Sequence, residues 1–216
     1  MGRSVTFANT SAGNRSALVC DWQGRDSGRM PERMPTLVVV SGPPGSGKTT
    51  LAHAIARALP CPAICRDEIK EGMAHAEGHA FQGGHGDPLT QRTLPLFFEV
   101  VRVLVAAGVT VVAEAAFQDA RWRPELEPLS ELAQLRIIRC IVDPAVSFER
   151  AARRAAESHG RVKAHGDSTL GKGIADWEQV FGSFEHISIP ASSLDVDTAD
   201  GYNPALDEII AFINGA

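Results

Sequence analysis

VVVSGPPGSGKTTLAHA, Val38 to Ala54, passes from an apolar β-branched run through glycines and prolines into a lysine, two threonines and a helical pattern. Gly42, Pro43, Pro44, Gly45, Ser46, Gly47, Lys48 and Thr49 fit G-x-x-x-x-G-K-[ST] between a predicted strand and a predicted helix. That setting makes the pattern a phosphate-binding loop. Glycine permits the backbone angles that turn successive N–H groups inward. A helix opening at Lys48 adds unpaired N–H groups and the positive end of its dipole. Lys48 is then expected to reach the β- and γ-phosphates of a nucleoside triphosphate, and the Thr49 hydroxyl to hold Mg²⁺. Thr50 either supports the helix start or touches the α-phosphate.

Outward from this loop, strands and helices alternate. Thr36–Ser41 is a continuous apolar run, as expected of a strand buried on both faces of a parallel sheet. The pattern then predicts helix Lys48–Leu59, strand Ala63–Cys65, helix Asp67–Ala76 and a Gly- and His-rich loop from Glu77 to Pro88. Helix Thr90–Ala107 follows, carrying Pro95 near its start, and then strand Val109–Ala113. Helix Arg121–Ala133, strand Leu135–Val142 and helix Pro144–Glu157 come next, before a polar basic loop from Ser158 to Lys172. Helix Ala175–Phe184, strand Leu194–Val196 and helix Pro204–Ile213 close the chain. Such alternation predicts a three-layer α/β domain with a mainly parallel sheet.

The 216 residues suit one substantial domain. Residues 1–34 are set apart by Gly, Ser, Asn and Arg without a sustained period. They read as a poorly ordered leader with a short strand at Ala17–Cys20 and alternative starts at Met30 or Met34. The longest apolar stretch, Val100–Val112, is broken by Arg102 and Gly108 and falls short of a bilayer span. No secretory signal opens the sequence, so the cytoplasm is the expected compartment. Cys20, Cys61, Cys65 and Cys140 read as reduced thiols, because no second Cys/His pair stands opposite Cys61 and Cys65 at zinc-ribbon spacing. Net charge is −5, and only four of the 21 basic residues are lysines. That balance disfavours general nucleic-acid binding and leaves a local arginine cluster as its one route.

No Asp-Glu pair follows an apolar strand to polarise water as in an AAA+ ATPase, and no Asn/Thr-Lys-x-Asp string is present to read guanine. The chain is also short for an AAA+ core with its helical lid. Phosphoryl transfer to a bound hydroxyl is left, and it needs a base, a cation for the acceptor and a mobile arginine. Asp67, in ICRDEIKEGM just beyond the second predicted strand, suits the base; the alternative is an N-cap of the following helix. Lys70, one turn on, suits an anionic or polar part of the acceptor, or else the solvated surface. Glu114 follows VTVVA, at the carboxyl end of a core strand where ligands bind in open α/β sheets. It suits Mg²⁺ through water, or an acceptor hydroxyl. Arg150, Arg153, Arg154, Arg161 and Lys163 gather at a helix-to-loop junction, with Arg150 sharing a helix face with Arg153 and with Arg154. A hinged basic loop there is expected to close over the triphosphate as a lid, about 150–172. His75, His79 and His85 read as cover for the acceptor rather than as metal ligands. His165 and Asp167 belong either to the lid or to an exposed polar surface.

SGPPGSGKTT, then RDEIKEGM, then a strand into EAAF, then the arginine-rich lid together resemble the small P-loop kinases related to phage polynucleotide kinase, zeta toxins and chloramphenicol phosphotransferase. The likeness runs from Thr36 to the C-terminus. It implies a P-loop NTPase domain with a five-stranded, mainly parallel sheet like that of adenylate kinase, and ATP with Mg²⁺ as donor. It further implies Asp67 as base and a lid arginine near Arg150–Arg154. LDVDT resembles the segment that borders the adenine, which brings in Asp197 and Thr198.

Two positions depart from the polynucleotide kinases of this type, which tend to carry Arg in place of Lys70 and Asp in place of Glu114. Lysine lacks the fork that holds phosphate bidentately, and Glu114 is closer to the zeta-toxin type, whose acceptor is a nucleotide sugar. The expectation is therefore an ATP-dependent kinase acting on a small-molecule hydroxyl: an antibiotic, sugar, nucleoside or nucleotide sugar. Arg150, Arg154 and Arg161 are its expected lid arginines. A 5′-hydroxyl polynucleotide kinase and a non-catalytic ATP-binding regulator are the alternatives.

Overall fold

Strand β1 (Thr36–Ser41) is buried along its whole length after Thr36, because it lies in the middle of the sheet. In the computed structural model, which describes residues 34–78, 81, 83–84, 86–157, 162, 164–166 and 173–215, five strands run in the order β2-β3-β1-β4-β5. They are β1, β2 (Ala63–Cys65), β3 (Val111–Glu114), β4 (Gln134–Ile141) and β5 (Ser192–Asp197), and every pairing is parallel.

Successive strand side chains point to opposite faces, so β1 feeds two cores. Leu37 and Val39 enter one with Phe97, Phe117 and Trp122; Val38 and Val40 enter the other with Leu51, Ile55, Ile138 and Ile209. Parallel neighbours require long crossovers, usually helical. Helix α1 (Lys48–Ala58) supplies cover on one face; α3 (Pro88–Ala106) and α4 (Asp119–Leu126) supply it on the other. The remaining helices are α2 (Arg66–Ala76), α5 (Pro144–Glu157), α6 (Ile174–Gly182) and α7 (Leu206–Asn214), the last packed with α1. This is a three-layer α/β/α P-loop NTPase fold.

Three boundaries differ from the sequence expectation for physical reasons. Helix α3 starts two residues early, because Asp87 caps it by accepting from Thr90 N at 2.9 Å and Pro88 stands in its first turn. The stretch expected as helix Arg121–Ala133 is α4 followed by a 3₁₀ turn over Glu127–Glu131, where Pro128 lacks the N–H that a continuing α-helix needs. Residues 162, 164 and 165 are helical, and Gly166 N donates to Val162 O at 2.9 Å, where a loop is expected. The leader, with its strand and possible starts, and His79, His85, Arg161, Lys163 and Asp167 lie outside the described residues, apart from Met34. Among the described residues no helix is long and apolar enough to cross a membrane.

Candidate active site

The phosphate-binding loop is held from behind. Gly45 has φ +74°, and a Cβ there would collide with the carbonyl oxygen of Ser147 on α5; Gly47 caps α1 at φ 77°. Both positions use the backbone freedom of glycine. Ser147 is fully buried. Its hydroxyl donates to Pro44 O at 2.6 Å and accepts from Trp177 Nε1 of α6 at 3.1 Å. From the other side Thr198, just past β5, donates through Oγ1 to Ser46 O at 2.8 Å. The carbonyls of Pro44 and Ser46 are thus engaged by the protein and are not set against a bound anion.

Register places the acid. Val40 of β1 and Cys65 of β2 both lie level with Glu114 of β3, so Glu114 stands between the strand that opens the loop and the strand that leads to Asp67. Glu114 is 2% exposed. Thr49 Oγ1 donates to its Oε2 at 3.1 Å, and Lys48 Nζ lies 3.9 Å from its Oε1 while donating to Pro43 O at 3.4 Å. Burial pushes the Glu114 carboxyl up from its ordinary value, and the Asp67 charge adds to this, against the pull of Lys48, Thr49 and Cys65. The Glu114 carboxylate and the Thr49 hydroxyl it accepts from are hard oxygen donors of the kind that Mg²⁺ takes. The donors present therefore fit the metal.

Asp67 is the second residue of α2. The N-cap of that helix is Cys65, so the capping alternative for Asp67 does not describe this helix start. Arg66 Nη1 donates to Asp67 Oδ1 at 3.0 Å. Lys70 points inward, its side chain 3% exposed, and donates to Asp87 Oδ2 at 2.7 Å. Burial alone would raise the Asp87 carboxyl, but hydrogen bonds from Lys70, Thr90 and Gly84 hold it well below the usual carboxylate range. Lys70 thereby joins α2 to the start of α3. Glu71 meets His165 at 3.2 Å, and His75 is exposed in the last turn of α2.

A cavity of about 430 Å³ opens beside the loop, lined by Lys48, Thr49, Thr50, Arg154, Thr198 and Tyr202 among others. Arg150 and Arg153 border it too. Arg150 Nη2 donates to Thr198 O at 2.7 Å and Ala199 O at 2.9 Å, which fastens α5 to the segment after β5. Asp197 is exposed, and its Oδ1 accepts from Ala199 N at 2.8 Å, so it shapes the turn that carries Thr198. Sequence reasoning missed Ser147, for which no local signal exists. It also missed Asp87, which an Asp-Pro pair ahead of an apolar helix does signal.

A strand-loop-helix phosphate cradle, a buried carboxylate beside its threonine and a basic helix over one cavity define a protein of the P-loop class. The family model AAA_33, described as an AAA domain, matches residues 37–170, and the chain belongs to that family. Among solved structures, a Chloroflexus aurantiacus J-10-fl protein proposed to be a kinase is 22% identical at TM-score 0.72, covering 85% of this chain and 98% of that one. A gluconokinase from Sinorhizobium meliloti 1021 is 20% identical at TM-score 0.54, over 85% and 94% of the two chains. The Mycobacterium tuberculosis APS kinase CysC, solved with AMPPNP and APS, is 18% identical at 0.55, over 86% and 98%. These likenesses establish the shared fold. No curated protein matches significantly.

Proposed function

We propose that the protein is a kinase that binds ATP with Mg²⁺ and transfers the γ-phosphate to a hydroxyl of a small molecule. One observation carries the reading: Thr49 and Lys48 converge on buried Glu114, with the Asp67 charge beside it, at the cavity bordered by the arginines of α5. The kinases among the structural neighbours support it. The three described free thiols, Cys61, Cys65 and Cys140, suit a reducing cytoplasmic setting.

In this reading the backbone N–H groups of residues 45–50 and the Lys48 ammonium hold the β- and γ-phosphates. Thr49 and Glu114 would hold Mg²⁺, which when bound neutralises charge on the transferring phosphoryl group. Asp67 accepts the proton of the acceptor hydroxyl as its oxygen bonds to the γ-phosphorus and the bond to the β,γ-bridging oxygen breaks. Arg153, Arg154 and Arg161 are the cations that close over the triphosphate, and Arg150 holds the α5 hinge against Thr198 and Ala199. Lys70 acts by fixing α2 through Asp87. A buried, paired lysine and a net charge of −5 both count against a polynucleotide track.

A mass-resolved screen with Mg–ATP tests this. Nucleosides, nucleotide sugars, sugars, hydroxylated antibiotics and 5′-hydroxyl oligonucleotides are offered in parallel, with Asp67→Asn as control. A single phosphoryl gain on one small molecule, absent from the control, is the expected result. Gain confined to oligonucleotides makes the protein a polynucleotide kinase. ATP binding with no acceptor modified across the screen means either that the acceptor lies outside the panel or that the protein is a regulator.

A further inference from the structure

A second constellation lies at the end of β2 and takes no part in transfer. His53 on α1, Cys65 at the last position of β2 and Glu68 in the first turn of α2 bring a ring nitrogen, a sulfur and a carboxylate oxygen within 4.8 Å of one another. His53 Nε2 lies 2.7 Å from Glu68 Oε1, and Cys65 Sγ lies 3.7 Å from His53 Nε2. We propose that His53, Cys65 and Glu68 form a binding site for a borderline divalent transition ion of the zinc class, with solvent as fourth ligand.

Donor chemistry selects the ion. Imidazole and thiolate favour zinc or cobalt over magnesium and calcium, which take oxygen. Three mixed protein ligands and one open position make a known four-coordinate arrangement. Bonds of that type place neighbouring donor atoms ~3.3–3.8 Å apart in a tetrahedron. The Cys65–His53 separation already lies there, and the His53–Glu68 contact opens by about half an ångström once an ion replaces the proton between them. A hydrogen bond joining α1 to α2 accounts for His53 and Glu68 as a surface pair; the Cys65 thiol bonds to Glu114 and also faces the His53 ring at 3.7 Å.

Access and rigidity are both present. Cys65 is 1% exposed and fixed by its register with Glu114. The His53 and Glu68 side chains are 38% and 48% exposed, and His53 borders an open cavity of about 400 Å³ that Cys61 also lines. Binding replaces the Cys65 thiol proton, which leaves to solvent, and a thiolate with one carboxylate balances the divalent charge. In the free protein burial and the charges of Glu114 and Glu68 hold that thiol protonated, above its usual range; a bound cation reverses this. Asp67 sits between two of the donors in sequence. The site stands independently of the kinase reading, since binding is measured without turnover.

The test is titration of the full chain with cobalt(II), followed by competition between zinc(II) and a chromophoric chelator. One equivalent of cobalt is expected to give a sulfur-to-cobalt charge-transfer band that Cys61→Ser keeps and Cys65→Ser loses. His53→Ala and Glu68→Gln are each expected to weaken zinc binding at least ~10-fold. Should Cys65→Ser fail to fold, these two exposed substitutions carry the test. Absence of the band at one equivalent, or undiminished affinity in both His53→Ala and Glu68→Gln, overturns the assignment.

Discussion

The two sides of the cleft use their polar groups differently. On the phosphate side, hydroxyls from α5 and from the end of β5 grip backbone carbonyls of the loop, while Lys48, Thr49 and Glu114 are gathered around one point. On the α2 side the charged groups are committed to one another: Lys70 to Asp87, Glu71 to His165, Arg66 to Asp67. The first side is built from backbone geometry, which a short motif encodes. The second is built from side-chain pairings, of which Lys70–Asp87 and Glu71–His165 join separate segments, and these a short motif does not encode. A common donor and an individual acceptor would produce this contrast.

The largest expected effect tests whether the α2 side does chemistry at all. Asp67→Asn keeps the size of the side chain and removes its basicity, so the transfer rate should fall ~10²- to 10⁴-fold with ATP affinity nearly intact. Single-turnover transfer and nucleotide titration separate the two. Unchanged transfer would reduce Asp67 to a favourable charge in the first turn of α2 and leave all chemistry on the loop side.

A nearly equal effect, on stability, is expected at the Lys70–Asp87 pair. Asp87→Asn keeps an oxygen for the Thr90 N–H yet leaves a buried ammonium without its counter-charge, which costs about 3–5 kcal/mol. Removing both charges with Lys70→Met and Asp87→Asn should recover most of the loss, because a buried ion pair contributes little over an apolar replacement of similar volume. Urea unfolding of the single and double variants measures both. If Asp87→Asn is as stable as the parent protein, the pair is not what holds α2 against α3.

A smaller loss is expected behind the loop. Ser147→Ala leaves Trp177 Nε1 and Pro44 O without their shared partner and should cost about 1–3 kcal/mol. Weaker nucleotide binding should accompany the lost stability, since the loop is then free to turn a carbonyl inward. Unfolding and ATP titration of one preparation read both, and lost stability with unaltered ATP affinity would detach Ser147 from loop geometry.

The alternation of apolar runs with helical patterns made the layers readable, because β1 and β3 are buried on both faces and β4 is apolar after Gln134 apart from Arg136 and Arg139. Boundaries went astray where a side chain overrode the pattern: Asp87 draws α3 back to Pro88, and Pro128 converts the end of α4 to a 3₁₀ turn. Around the loop, local sequence names Gly45, Gly47, Lys48 and Thr49, and β3 delivers Glu114 by strand length alone. Ser147, Trp177 and His53 stayed illegible because their partners lie in other elements. The exposed alternative for Lys70 looked natural because its partner is seventeen positions away, across a glycine-rich segment.

The smallest expected effect concerns Glu114, where the two sides meet. Its folded-state pKa is raised above the ordinary 4.5, first by burial. A carboxyl of that kind favours the fold most at pH below its ordinary value, where both states are protonated, and that contribution is lost as pH rises through the folded-state pKa. Without nucleotide, Glu114→Gln should therefore gain stability relative to the parent protein as pH rises above about 4.5, with no gain at lower pH. Glutamine still accepts from Thr49, so the hydroxyl contact is retained in the comparison. With Mg–ATP the order should reverse, because the variant lacks the charge proposed to hold the ion. Urea unfolding across pH, with and without Mg–ATP, reads both differences. A pH-independent difference in the free protein would mean that Lys48 and Thr49 fully offset the burial of Glu114 and leave its pKa at the ordinary value.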